Sequence, residues 1–156
     1  MTSTIQLPEI EGIANFFGDL FDMKITAESS DFDDSSLVLF ADYIDNNKMP
    51  RNFIACDIAC AAVFGAALTG FPPAQVEAAI NTEVLPENLF DNMKEILNIA
   101  VNLFPLSNQQ RIVIEKISQD EEAFNDYKSC EGAPEVRIKF SVPRLGDGLM
   151  VIGTSL

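Results

Sequence analysis

The segment "DNMKEILNIAVNLF" at residues 91–104 decides how this chain is interpreted, because its polar and apolar residues separate at the spacing of an α-helix. At about 100° per residue, Asp91, Glu95, Asn98 and Asn102 lie within about 60° of one another. The opposite side carries the apolar residues that can anchor such a helix in a core, namely Leu89, Met93, Ile96, Leu97, Ala100, Leu103 and Phe104.

The spacing predicts one long helix from about residue 84 to residue 104, stopped by Pro105. Its line of four polar groups is either a solvated face or a functional surface. Solvated helix faces are usually rich in Lys and Glu, whereas Asn is a weaker helix former. Asn98 and Asn102 are therefore unfavourable choices for a face that only meets water, which favours a function.

The composition excludes most self-contained catalytic mechanisms. The chain has 156 residues and no histidine, so a Ser-His-Asp triad, a Cys-His pair and a histidine zinc site are all impossible. Three cysteines cannot form a four-cysteine zinc site, and the glycines form no phosphate-binding loop. We therefore expect no metal site and no bound cofactor, and chemistry limited to carboxylates, amides, hydroxyls or a partner's reactive centre.

The charge limits the partners. Ten basic residues against 24 acidic ones give a net charge of −14, which argues against nucleic acid and against an anionic membrane surface. The longest apolar run, at 58–71, is too short to span a bilayer. No signal-peptide pattern is present and the cysteine count is odd, so a cytoplasmic location is expected.

The remaining segments predict one α+β domain over residues 1–156. Its sheet should be mixed and mostly antiparallel with helices packed on it, because helices and strands do not alternate as βαβ units. The segment at 119–135 is polar and its structure is not assigned. Strands are expected at 23–29, 37–45, 51–58, 109–117, 136–143 and 149–155, and further helices at 7–21, 59–70 and 72–81.

An internal similarity links two of the helices. When 8–21 is aligned with 91–104, Asn15 falls on Asn98 and Phe21 falls on Phe104. Each segment also leads into a strand-like stretch. A duplicated half-domain would produce this pattern, and so would chance, because amphipathic helices resemble one another.

The segment at 91–98, "DNMKEILN", fits the pattern D/S-x3-E-x2-N of the CheC/CheX family of chemotaxis phosphatases. The preceding residues resemble this family in their order: strands, a small-residue helix, a G-hydrophobic-P-P turn, a spacer and the motif helix. The likeness is best over about 35–117. It implies a pseudo-duplicated, CheX-like fold with a single site on the long helix.

The resemblance also implies an activity. Members of this family hydrolyse the aspartyl phosphate of a phosphorylated CheY-type receiver domain. Asn98 would orient the attacking water, Glu95 would engage a receiver lysine, and the surrounding partner-binding surface would comprise Asp91, Lys94 and Asn102. Mg²⁺ would be bound by the receiver rather than by this chain, and a homodimer is expected.

Two departures from the family pattern stand out. The motif often continues to a proline 23 residues after its asparagine, where this chain has Glu121. In members with two sites the first helix carries Glu and Asn, whereas here Asn15 is kept and Gly12 replaces the glutamate. Glu11 would substitute only from a different angle, so Asn15 and Glu11 are interpreted as a degenerate second site.

Two rival hypotheses remain. One is a non-catalytic module of the same fold that binds receivers, flagellar-switch proteins or other signalling partners. The other is a dimeric small-molecule-binding domain with an apolar cavity between helices and sheet. The alternating strand at 136–143 is expected to offer a sheet edge for dimerisation. Cys56 and Cys60 are interpreted as buried apolar residues.

Overall fold

Six strands form one sheet in the computed structural model, which describes residues 7–104 and 112–154. The strand order is β1-β5-β6-β3-β2-β4, and every neighbouring pair is antiparallel. The expected antiparallel sheet is confirmed, without the parallel pairs that a mixed sheet would contain. The strands are β1 (Thr26–Ser29), β2 (Leu37–Ile44), β3 (Pro50–Asp57), β4 (Val113–Ser118), β5 (Glu135–Val142) and β6 (Gly146–Thr154).

Within the described residues, five α-helices accompany the sheet: α1 (Ile10–Phe21), α2 (Ile58–Thr69), α3 (Pro73–Thr82), α4 (Glu87–Ile99) and α5 (Glu121–Lys128). Helices α1, α2 and α4 cover one face of the sheet, with α3 packed on α2, and α5 lies on the other face. Two short 3₁₀ helices occupy Asp34–Ser36 and Ala100–Leu103. The α+β architecture expected from the sequence is therefore confirmed.

Strand alternation explains why both faces of the sheet need a cover. Along β2, the side chains of Leu39, Ala41 and Tyr43 enter the core beneath the helices, whereas Phe40 enters the smaller core beneath α5. Each large side chain buried in this way stabilises the fold by about 1.5–3 kcal/mol. The sheet is thus a two-sided layer that holds the helices in place.

Helix α2 lies at the centre of the helical layer because its residues are almost all apolar and mostly small. Its N-terminus is capped by Asp57, whose carboxylate accepts a hydrogen bond from the Cys60 backbone N–H at 2.8 Å. Its C-terminus ends at Gly70 in the left-handed region, with φ of 73°. A β-carbon built on Gly65 would lie 2.8 Å from the Leu89 carbonyl oxygen, so α4 packs directly on the α2 backbone.

The sheet order confirms the internal duplication. Exchanging β1 with β4, β2 with β5 and β3 with β6 reverses the strand order, so the same neighbours are obtained when the sheet is read from its other edge. Helix α1 immediately precedes β1, and α4 precedes β4, and these two strands form the two edges of the sheet. The two amphipathic helices therefore occupy corresponding positions in the two halves, which the alignment of their sequences alone left open.

Several expectations from the sequence need correction. The polar segment at 119–135 contains α5, capped by Asp120, which accepts a hydrogen bond from the Ala123 backbone N–H at 2.7 Å. The strand at 136–143 offers no edge for dimerisation, because β5 lies between β1 and β6. The long helix begins later than expected and its regular part ends at Ile99, followed by the second 3₁₀ helix. The expected stop at Pro105 lies outside the described residues.

A network of charged side chains and one tyrosine connects α5 to the sheet and to the first 3₁₀ helix. The carboxylate of Asp34 accepts hydrogen bonds from Arg137, from the Lys128 ammonium at 3.2 Å and from the Tyr127 hydroxyl at 3.1 Å. Burial alone would raise the pKa of Asp34, but these donors outweigh it and lower the pKa. A cavity of about 120 Å³ borders this network and is lined largely by charged residues. It is not the apolar cavity between helices and sheet that a small-molecule-binding domain requires.

Two further observations concern the described part of the chain. Within residues 7–104 and 112–154, none of the helices combines the length and the apolar character needed to cross a membrane. In the same ranges, no three Cys, Asp or Glu side chains gather in a way that would hold a metal ion.

Candidate functional site

The candidate site is the exposed face of α4. On the opposite side of this helix Leu89, Met93, Ile96 and Leu97 are essentially inaccessible to solvent, which fixes the helix against α2 and the sheet. The polar residues predicted to share one line therefore face outward on a rigid element, which suits a surface that must hold a precise geometry.

Glu95 and Asn98 form the centre of this face. They are three residues apart, which on an α-helix places them as neighbours about one turn apart. Both are exposed, and neither forms a side-chain hydrogen bond or ion pair with another residue of the described ranges. Their carboxylate and amide are thus available to a partner without first breaking an internal bond.

Asp91 and Lys94 flank this pair and bind each other. The Lys94 ammonium lies 3.1 Å from the Asp91 carboxylate and 5.1 Å from the centroid of the Phe90 ring. Both side chains are about half exposed, so the ion pair contributes at most about 1 kcal/mol to folding. Its effect is to hold the lysine over the aromatic ring, at the start of the polar face.

Asn102 does not share the direction of the other three polar residues. It lies on the second 3₁₀ helix, where the chain turns about 120° per residue instead of about 100°. Over the three steps from Ile99 to Asn102, this difference turns its side chain about 60° away from the predicted line. Its amide donates to the Ile99 carbonyl at 3.0 Å. The structure therefore brings together Asp91, Glu95 and Asn98 but not Asn102.

Two side chains that the sequence analysis missed, Asn92 and Tyr43, attach α4 to the core through three hydrogen bonds. The side-chain amide of Asn92 donates to the Gly65 carbonyl at 2.8 Å and to the Thr69 hydroxyl at 2.9 Å. The hydroxyl of Tyr43 donates to the Leu97 carbonyl at 2.5 Å. The sequence does show an asparagine beside the polar line and a tyrosine within an apolar strand. It does not show which residues they bind, because their hydrogen-bond partners are distant in sequence.

Tyr43 is fully buried where its hydroxyl donates a hydrogen bond to the Leu97 carbonyl. Its side chain is 0% exposed, and burial raises the pKa of the phenol well above its usual value. Both the burial and the raised pKa favour the protonated hydroxyl, which is the form that donates to the Leu97 carbonyl. The ring of Phe104 packs against it, with centroids 4.9 Å apart.

The face of α1 that corresponds to the site is open but incomplete. Glu11, Gly12 and Asn15 are all exposed, and a β-carbon at Gly12 would meet no atom within 4 Å. The glutamate missing there is thus not excluded by crowding. Glu11 is one residue away and points about 100° around the helix from Gly12, so it does not reproduce the pair formed by Glu95 and Asn98.

The cysteines of the α2 region offer no alternative chemistry. Cys56 and Cys60 are both buried. The pKa of the Cys60 thiol is raised mainly by this burial and further by its contact with Cys56. A buried, protonated thiol is a poor nucleophile. The Glu95 carboxylate and the Asn98 amide are, by contrast, exposed where a partner can reach them.

Comparison with known proteins identifies the fold. No protein-family model and no curated protein sequence matches the chain. Among solved structures, the crystal structure of the CheX-CheY-BeF3-Mg²⁺ complex from Borrelia burgdorferi matches with a TM-score of 0.53 and 14% identity, over 92% of this chain and 93% of the other. Thermotoga maritima FliY matches with a TM-score of 0.53 and 14% identity, over 91% of this chain and 81% of the other.

The crystal structure of the FliM-SpeE complex from H. pylori matches with a TM-score of 0.62 and 9% identity, over 94% of this chain and 81% of the other. The chain therefore has the fold shared by CheC, CheX and FliM, as the resemblance of its motif implied. Identities of 9% and 14% show the fold alone.

Proposed function

We propose that this protein is a phosphatase that hydrolyses the aspartyl phosphate of a phosphorylated CheY-type receiver domain. The observation that carries the proposal is the pair Glu95 and Asn98, exposed side by side on a helix whose other face is buried. Further support comes from the motif in which the pair lies and from the fold, which resembles that of CheX crystallised with CheY, BeF3 and Mg²⁺.

Asn98 would enter the partner's active site and orient the attacking water. An amide suits this role because it both donates and accepts hydrogen bonds and does not ionise. Holding water in line with the phosphorus atom lowers the entropic cost of the reaction. The reaction transfers the phosphoryl group from the aspartate carboxylate to water and yields inorganic phosphate and a free carboxylate.

Glu95 would engage a lysine of the receiver and so dock the helix. Asp91, Lys94 and Asn102 would complete the partner-binding surface, with Asn102 contributing at its margin because of its turned direction. The net charge of −14 opposes approach to an acidic partner, so local pairs on α4 would have to supply the attraction.

The remaining parts of the proposal concern the assembly. Mg²⁺ would be held by the receiver, and this chain would bring no cofactor or metal of its own. The protein would act in the cytoplasm as a homodimer. A second copy would pair at β1 or β4, the edges of the sheet formed by the described residues.

The test measures phosphate release from a phosphorylated CheY-type receiver with Mg²⁺, with and without this protein. We expect faster release with the wild-type protein and an approximately hundredfold loss in kcat for Asn98→Ala, the scale seen when one polar group that stabilises a transition state is removed. Asn15→Ala is the matched control, because it removes the corresponding amide from α1, and it should retain full activity.

A receiver-binding or switch-binding module without catalysis is the second candidate. The incomplete face of α1 and the similarity to a chain of the FliM-SpeE complex favour it. It predicts binding of the phosphorylated receiver with an unchanged rate of phosphate release. An active protein in which Asn98→Ala and Asn15→Ala behave alike would contradict the assignment of the site to α4.

A further inference from the structure

We propose that Tyr43 and Asn92 are positioning residues for the polar face of α4, and that their hydrogen bonds set the direction in which Asn98 points. This inference rests on the proposed function. Neither residue belongs to the Glu-Asn pair, and neither faces the partner-binding side of the helix. Each acts through the backbone or the packing of α4.

Tyr43 holds the turn that carries Asn98. Its hydroxyl bonds to the carbonyl of Leu97, the residue immediately before Asn98, at 2.5 Å. Two residues after Leu97 the regular helix ends at Ile99, and the chain changes from α to 3₁₀ geometry. A bond from the sheet to this turn adds a directional restraint on the backbone next to Asn98, beside the apolar contacts that already seat the helix.

Asn92 holds the same helix nearer its N-terminus. Its amide uses both hydrogens, one on the Gly65 carbonyl and one on the Thr69 hydroxyl of α2. Asn92 and Leu97 are five residues apart, or about 7.5 Å along the helix. Apolar packing seats the helix but is not directional, so directional bonds are needed to restrict its small rotations. Two attachments to different elements, α2 and β2, fix both its rotation and its tilt.

The corresponding helix of the other half lacks both attachments. Beneath α1, β5 presents Phe140, whose ring packs against Phe17 with centroids 5.7 Å apart and which carries no hydroxyl. The residue aligned with Asn92 is Glu9, which is exposed. No side chain of α1 forms a hydrogen bond with another residue of the described ranges. The side-chain hydrogen bonds to the core therefore occur on α4, which has the complete Glu-Asn pair. They are missing on α1, where the glutamate of the pair is absent.

The experiment compares kcat and KM for phosphate release from the phosphorylated receiver. We expect Tyr43→Phe to lower kcat about tenfold and to change KM less than threefold, because misplacement by a fraction of an ångström affects water positioning more than docking. Asn92→Leu should lower kcat similarly, and Asn92→Gln, which keeps the two donor hydrogens, should recover at least half of the lost activity.

The chain offers a matched control in its other tyrosine. Tyr127 also donates a hydrogen bond, to Asp34 at 3.1 Å, but on the opposite face of the sheet. Tyr127→Phe should lower the denaturation midpoint about as much as Tyr43→Phe and leave kcat unchanged. A purely structural role for Tyr43 would make these two variants indistinguishable in kcat.

The inference would be overturned on its own if Asn98→Ala is inactive while Tyr43→Phe and Asn92→Leu keep kcat within twofold of the wild-type value. It would be overturned together with the proposed function if the wild-type protein does not accelerate phosphate release. These two failures are distinguished by the wild-type measurement.

Discussion

Helices α1 and α4 occupy corresponding places in a duplicated fold, yet they differ in the groups that a partner would meet. Both bury an apolar face and expose an asparagine, at Asn15 and at Asn98. Only α4 adds a glutamate one turn before it, since α1 has Gly12 at that position. Only α4 is tied to the core by side-chain hydrogen bonds among the described residues.

The difference shows that an amphipathic pattern and a functional surface make separate demands on a helix. Apolar contacts are sufficient to hold α1, where Phe17 and Phe21 pack against Phe64 with centroids 4.8 Å and 5.1 Å apart. Such contacts are not directional, so they tolerate a small rotation of the helix. Hydrogen bonds are directional and fix the angle at which an exposed residue points.

The largest expected effect tests the close packing beneath α4. Gly65→Ala would place a methyl group 2.8 Å from the Leu89 carbonyl oxygen, which forces the two helices apart. We expect a loss of about 1–3 kcal/mol in the free energy of unfolding, since overpacking a tight contact costs about that much. Thermal denaturation measures it, and about 2–4 °C of Tm per kcal/mol is expected for a chain of this size. An unchanged Tm would show that α4 is not seated as tightly as described.

A smaller effect separates the two glutamates. Glu95→Gln removes the charge and keeps the shape, so we expect KM for the phosphorylated receiver to rise about five- to tenfold, equivalent to about 1–1.4 kcal/mol. Glu11→Gln is the control on α1 and should leave KM unchanged. The hypothesis that Glu95 docks the helix would fail if both variants gave the same KM.

The next effect concerns stability on the α1 side. Gly12→Ala adds a methyl group to an exposed helical position with nothing within 4 Å, and it removes the flexibility of glycine from the unfolded chain. We expect the free energy of unfolding to rise by about 0.5–1 kcal/mol, measured by urea denaturation. Activity should not change. A decrease in stability would mean that α1 is less regular at this point than described.

The smallest expected effect concerns a variant that we expect not to regain phosphatase activity. Introducing Gly12→Glu into the Asn98→Ala protein completes the pair with Asn15 on α1 without completing its attachments. We expect phosphate release to remain within about twofold of the Asn98→Ala rate, because a pair that can rotate positions water poorly. Substantial recovery would show that the glutamate alone distinguishes the two helices and that Tyr43 and Asn92 are dispensable.

Much of the architecture follows from local patterns. The helical spacing of 91–104 predicted α4, and the small-residue run ending at Gly70 predicted α2, because apolar periodicity and a C-terminal glycine are local signals. Helix α5 was missed because its segment is mostly polar. Its few apolar residues pack on the sheet, where Phe124 and Tyr127 contact Phe40 and Ala123 is buried in the same cluster. The dimerisation edge was assigned to β5, wrongly, because an alternating pattern identifies a strand but not its neighbours.

Local sequence patterns were enough to identify the available residues: Glu95 and Asn98 at helical spacing, a chain without histidine, and a first helix with Gly12 in place of the glutamate. How those residues are held became visible only in the folded chain. The bonds from Tyr43 to Leu97 and from Asn92 to Gly65 join residues that are 54 and 27 positions apart. Spacing along a helix is a local property, whereas hydrogen bonds between distant segments exist only after the chain has packed its elements together.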